Sequence, residues 1–332
     1  MLNGDAIKIG RRTLAFFLLL LVAVFPFLFQ YTSVASEVLI FAIFALGFNL
    51  LLGYTGILSF GHAAYFGLGA YACGVSSLKF GFPLLLSILF GIVTAGIAGI
   101  VVGYLLRKKR GVYFAMITLA IAQSFYFIAL QFRSVTGGSN GLGGMDIPKI
   151  VFPGNLTINL GLSHNFYYFA LIILIITLVI YWKILRSPYG KVLRAIRENE
   201  KRAEACGYNT NLIRIIAFTI SSSFAGLAGA LYALHLNFVP LDTLHWVLSG
   251  EIIMITLLGG QGTFWGPLIG ATVFIGARES ITSFTARWEV FLGALLVFIV
   301  LALPGGISGA FSNFLNKVND YINEKEVADV SD

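Results

Sequence analysis

The sequence predicts an all-α integral membrane protein, a polytopic bundle of about 8–10 transmembrane helices, some of them broken inside the bilayer. Three observations predict it. First, 58% of the 332 residues are hydrophobic and only 11% are charged, whereas a soluble domain carries roughly 25% charged residues. Second, the apolar residues come in blocks, at 14–29, 38–52, 84–106, 112–130, 166–182 and 290–303, each near the roughly 20 residues that cross about 30 Å of hydrocarbon. Third, the charges fall between these blocks. A net charge of +7 therefore reports membrane orientation and gives no reason to expect nucleic acid.

Lys and Arg accumulate on the cytoplasmic side of membrane proteins. They cluster at Lys8, Arg11 and Arg12, at Arg107-Lys108-Lys109-Arg110, and from Lys183 to Arg214. Spans near 13–30, 37–53, 61–78, 84–106, 112–132 and 165–185 place all three clusters on one side. The first span follows a basic segment but lacks a clear small-x-small cleavage site, so it reads as a retained helix. Residues 1–12 form a cytoplasmic N-terminus, 13–305 the transmembrane domain with a cytoplasmic loop at 186–212, and 306–332 a polar tail. A further span lies near 213–236. The segment 250–277 is either one broken crossing or a hairpin. One crossing puts Arg278 and Arg287 inside and the C-terminus outside; a hairpin reverses both.

Two segments echo one another: Leu51-Leu52-Gly53-Tyr54-Thr55-Gly56 and Leu257-Leu258-Gly259-Gly260-Gln261-Gly262. Clustered Gly interrupts a helix, and open backbone at membrane depth persists where protein buries it or where it lines a wet cavity. Interrupted segments at matching positions point to a substrate pathway; the alternative is close helix packing. Gly259, Gly260, Gln261 and Gly262 are pathway candidates at the second break. At the first, Ser59, Gly61 and His62 interrupt apolar sequence, and Thr118 and Gln123 do so within 112–132. His62 is either a substrate contact or an interhelical hydrogen-bonding group. Glu251 reads as an interfacial charge at a helix start.

The loop at 186–212 is long for a connection. A polar helix from Lys191 to about Cys206 carries Leu193, Ile196, Ala203 and Cys206 at helical spacing, a Glu198–Arg202 pair at i,i+4, and Gly207 as its stop. It either lies on an anionic leaflet or docks a cytoplasmic partner, and interspersed Glu198, Glu200 and Glu204 favour docking. The Gly-rich run 136–144 lacks the Lys-Ser/Thr ending of a phosphate loop and falls outside, and no such loop occurs elsewhere. The chain thus carries no ATPase site of its own. The four histidines and two cysteines lack metal-ligand spacing, so no metal or other cofactor is expected, and no nucleophile–base pair marks an enzyme. A secondary transporter would couple through mid-span carboxylates, and none is present.

Taken in order, Gly53-Tyr54-Thr55-Gly56 with Leu58-Ser59-Phe60-Gly61-His62-Ala63-Ala64, Arg110-Gly111-Val112-Tyr113-Phe114, Thr136-Gly137-Gly138-Ser139-Asn140-Gly141-Leu142, Ser187-Pro188-Tyr189-Gly190, Arg194-Ala195-Ile196-Arg197-Glu198-Asn199-Glu200, Arg202-Ala203-Glu204-Ala205 and Gly259-Gly260-Gln261-Gly262-Thr263 resemble the LivM-like permeases of branched-chain amino acid ABC importers. The resemblance runs over roughly 38–305. It implies a bacterial cytoplasmic (inner) membrane protein that pairs with a second homologous permease subunit. Two cytoplasmic ATP-binding subunits and an extracytoplasmic substrate-binding protein complete the implied machine. It also implies that Arg194, Arg197, Glu198, Asn199, Arg202, Glu204 and Gly207 belong to the helix that couples to the ATPases, and that both termini lie inside, which favours the hairpin. Urea permeases look very similar, so a urea or short-amide importer is the alternative.

Overall fold

The structure, a computed structural model, describes residues 32–145, 149–151, 157–285, 287–302 and 305–310. The N-terminus, the expected first span and the tail beyond residue 310 lie outside the described residues. Five described helices are long and apolar enough to cross a membrane, and the bundle is helical as expected. The departure is small: three-residue strands β1 (Lys149–Val151) and β2 (Thr157–Asn159) pair antiparallel in the loop expected outside.

The bundle is built around α1 (Thr32–Thr55), a helix apolar nearly all round and therefore buried nearly all round. Every residue from Leu39 to Thr55 is buried. Gly56 ends α1 in the left-handed conformation (φ 71°), and the amides of Gly56 and Ile57 turn back onto Leu52 O and Leu51 O, which fills carbonyls the helix end leaves open. After an irregular linker, α2 (His62–Phe80) runs back along α1. His62 packs on Phe48 and Phe66 on Phe44, each with ring centroids 4.9 Å apart.

Helices α3 (Leu84–Leu106), α4 (Gly111–Gln131), α5 (Ser163–Arg186) and α7 (Thr210–Leu236) surround this pair, with the polar α6 (Pro188–Ala205) between α5 and α7. In lipid no hydrophobic difference drives helices together, so small residues that admit close approach hold them. Gly91, Ala95, Gly99 and Gly103 line one stripe of α3 against α7. A Cβ on Gly226 of α7 would collide with Ala95, and one on Gly69 of α2 with the Gly226 backbone. Gly226→Leu is thus expected to cost about 3 kcal/mol, the upper end of overpacking costs, because backbone must move. Thermal unfolding of the purified chain checks this; an unchanged midpoint would contradict the packing described.

The 250–277 segment is a hairpin. Helix α8 (Trp246–Gly259) and helix α9 (Gly266–Thr282) lie antiparallel: a Cβ on Gly270 would meet Ile255 O, one on Gly259 would meet Gly266 O, and Arg278 reaches Glu251 at 3.9 Å. Helix α10 (Trp288–Ala302) follows, and Ser308 then lies 2.8 Å from Thr263, at the α6 end of the bundle. The chain at 305–310 thus shares an end with the basic loops, and Arg278 lies at the opposite end. Glu251 is not at a helix start, as its charge alone suggested. It sits in the second turn of α8, beside the Arg278–Glu37 pair (2.5 Å), which joins α9 to α1.

Candidate functional site

Three structures meet where α1 reaches the basic end of the bundle: the linker after α1, the turn between α8 and α9, and α6. The linker 56–61 is largely buried irregular backbone, and such backbone needs side-chain partners. Thr118 Oγ1 accepts from the Phe60 amide (3.2 Å), Ser59 Oγ from the Gly61 amide (3.3 Å), and Ser249 Oγ from the Ala63 amide at the start of α2 (2.8 Å). His62 Nε2 lies 2.8 Å from Ser221 Oγ, which itself donates to Gly47 O. Ser59 and His62 are fully buried and Thr118 nearly so, and His62 is enclosed by Phe48, Tyr65 and Phe218. Of the sequence-selected residues around this break, Gln123 is half-buried, while Ser59, His62 and Thr118 face protein.

The two echoing segments touch. Asn49, fully buried in α1, accepts from the Gly262 amide (2.8 Å) and donates to Thr263 O (2.9 Å) and to the Tyr181 hydroxyl of α5 (3.0 Å). Its amide therefore pins the α8–α9 turn to α1 with both ends of the side chain engaged. Gly53 permits this approach, because a Cβ there would strike Asn49 Oδ1 and the Gly262 amide. Gly259 and Gly260 are buried within the turn, while Gln261 is exposed at its tip.

Helix α6 is bound to this junction. Ser187 caps it through the Gly190 amide (3.3 Å) and Pro188 takes the first turn, as suits a helix start. Val192, Leu193, Ile196 and Ala203 are buried against the bundle, whereas Cys206 is exposed and outside the expected apolar stripe. Asn199 is non-helical (φ −159°, ψ 100°) and kinks the helix, its side chain accepting from the Arg202 amide (3.0 Å). The kink breaks the i,i+4 spacing, and no Glu198–Arg202 pair forms among the described residues. Gly207 has a positive φ (88°) just after the helix, as a stop residue requires.

Two sets of contacts tie α6 to the spans. Arg197 donates to Gly53 O, and the Arg194 guanidinium lies 5.3 Å over the Tyr54 ring. Glu200 accepts from Arg110 of the α3–α4 loop (2.6 and 2.8 Å) and from Arg214 of α7 (3.0 Å). Burial raises the Glu200 carboxyl, but the Arg110 and Arg214 bonds and charges outweigh it and hold it below the ordinary range. A carboxyl held low keeps its stabilisation above the ordinary value and loses it as pH falls through the lowered one. Between pH 6 and 8, transport should therefore show no step from Glu200; acid alone unties it, as a pH profile of wild type against Glu200→Gln would reveal. Sequence reasoning missed Asn49 and the Arg110–Glu200–Arg214 cluster. The signal for Asn49 was its isolation, a lone amide in the apolar run 38–52.

A bundle of this kind joins interrupted apolar spans to an exposed polar helix, an architecture that suits a multi-pass transport subunit. The family model described as the permease component of branched-chain amino acid transport systems matches residues 30–300, and the chain belongs to that family. It is 27% identical over 92% of its length to the high-affinity branched-chain amino acid transport system permease protein LivM of Salmonella typhimurium, covering 76% of that protein. A probable branched-chain amino acid transport permease protein LivM of Methanocaldococcus jannaschii is 28% identical over 81% of this chain and 90% of its own. The autoinducer 2 import system permease protein LsrC of Salmonella typhi is 26% identical over 90% and 88%. No solved structure matches.

Proposed function

We propose that this chain is one permease subunit of an ATP-driven importer that carries branched-chain amino acids inward across the cytoplasmic membrane. One observation carries the reading: α6 exposes a polar surface while its other face is tied by Arg197 and Glu200 to the ends of three spans. Arg194, Glu198, Asn199, Arg202 and Glu204 are exposed on that surface, Gly207 is exposed just past the end of the helix, and Arg197 is exposed beside them with its guanidinium reaching back to Gly53 O. Mixed charge of this kind suits a protein partner better than an anionic leaflet. A push on α6 from a closing pair of ATP-binding subunits reaches Gly53 through Arg197, and the α8–α9 turn through Asn49. The second, homologous permease subunit completes the route, a binding protein delivers the substrate outside, and ATP is hydrolysed by the partners.

In this scheme the route runs past the linker holding Ser59, Gly61 and His62, past Thr118 and Gln123 on α4, and past the Gly259–Gly262 turn. Ser59, Thr118 and His62 hold the linker in shape. The branched-chain substrate is supported by the family description and by the names of the LivM relatives, while the autoinducer 2 permeases are the competing precedent. Crosslinking tests the coupling role. Lys201→Cys, on the exposed face of α6, should crosslink to a co-expressed ATP-binding subunit with a yield that changes on adding ATP. Crosslinks to lipid-facing probes alone would overturn it.

A further inference from the structure

A cleft of about 430 Å³ opens between the linker, the first turn of α4 and α6, a size within the range of small-molecule sites. The coupling scheme uses its charged wall but not the space that the wall encloses. One wall is apolar, formed by Ile57, Leu58, Phe60, Val112, Phe114 and Ile196; the other holds Arg110, Glu200 and Arg214. Two guanidinium groups face one carboxylate, so the lining keeps a surplus of one positive charge. Arg110 is saturated, donating to Glu200, Asn211 and the carbonyls of Arg107 and Lys109. Arg214 is not. Its side chain is only 8% exposed, yet it reaches Glu200 through Nη1 alone, and Nε and Nη2 have no hydrogen bond among the described residues. The two open donors are not among the buried unpaired atoms, so they open onto the cleft, and a guanidinium with free donors favours a carboxylate acceptor. The surplus charge suits a carboxylate, the facing aliphatic wall suits a short branched hydrocarbon, and an amino acid's ammonium group turns to the open mouth of the cleft, since Glu200 is already engaged by both guanidinium groups. A sugar-like polyol would leave that wall unpaired with apolar surface.

We infer that this cleft binds a small carboxylate with a branched aliphatic side chain from the cytoplasmic side, with branched-chain amino acids as its class. The inference rests on the importer reading for the identity of that class. Because the cleft is walled by both the linker and α6, an occupant wedges the two in one arrangement and slows the cycle when product accumulates inside.

The test uses the purified complex of this chain with its sister permease and ATP-binding subunits, without binding protein. Labelled L-leucine should bind saturably, be displaced by valine and not by urea, and bind at least tenfold more weakly to Val112→Trp and to Arg214→Met. Val112 is 73% exposed, so tryptophan fills the cleft without disturbing the bundle; size-exclusion elution as for wild type verifies this, and Arg214→Met tests the charge. Absence of saturable binding, or binding unaltered in Val112→Trp, overturns the inference. Leucine uptake without cleft binding sinks the cleft alone; cleft binding without ATP-driven leucine uptake sinks the importer reading alone.

Discussion

Asn49→Ala is expected to abolish ATP-driven uptake while leaving the chain in the membrane. The substitution strands the half-buried Gly262 amide and Thr263 carbonyl and leaves the buried Tyr181 hydroxyl with Tyr54 as its remaining partner. A polar group left unpartnered in a buried site costs about 1–3 kcal/mol; for these two half-buried groups the low end applies to each, enough for the α8–α9 turn to detach from α1 before the bundle unfolds. A detached turn no longer follows α1, so hydrolysis by the partners should continue while uptake falls by tenfold or more. Asn49→Asp keeps the acceptor for Gly262 but loses the donor to Thr263 and adds a buried charge, and should be no better. Measuring uptake and ATP hydrolysis on the same preparations separates this outcome from misfolding. Parallel loss of both would mean that Asn49 only supports the fold.

The second large effect concerns the Arg110–Glu200–Arg214 cluster. Glu200→Ala leaves Arg214 buried without its counter-ion and frees Arg110, which should cost about 2–3 kcal/mol. That is below the full penalty for a broken buried pair because Glu200 is partly exposed. Removing both charges at the buried side, Glu200→Ala with Arg214→Met, should cost less than Glu200→Ala alone, since no orphaned guanidinium remains. A double-mutant cycle on thermal or denaturant unfolding reads the difference directly. Additive losses would show that Glu200 and Arg214 are neighbours without being coupled.

The fold was legible because lipid imposes a crude rule: apolar blocks of one length, with basic residues between them on one side. The polar helix α6 was legible for the same reason, as a polar stretch too long for a turn. What the pattern could not reach was contact between segments far apart in the chain. Asn49 meets Gly262 across more than two hundred residues of sequence, and its amide carries no periodicity that would betray a partner. Glu251 and Arg278 pair because α8 and α9 fold back on each other, and the choice between hairpin and single crossing lay in that packing. The expected Glu198–Arg202 pair failed because periodicity assumes an unbroken helix, and Asn199 breaks it by capping its own second turn. His62 stood out as costly in an apolar segment, and the cost is met only at Nε2: Ser221 bonds that nitrogen and three aromatic rings enclose the imidazole, while Nδ1 is buried with no hydrogen-bond partner among the described residues.

The most direct measurement is uptake of labelled L-leucine by proteoliposomes holding this chain, its sister permease, the ATP-binding subunits and the binding protein, with ATP enclosed. Leucine should accumulate only with enclosed ATP, and accumulation should be lost in Asn49→Ala. Uptake by this chain without ATP or partners, or a complete complex that hydrolyses ATP in response to autoinducer 2 and ignores leucine, would contradict it.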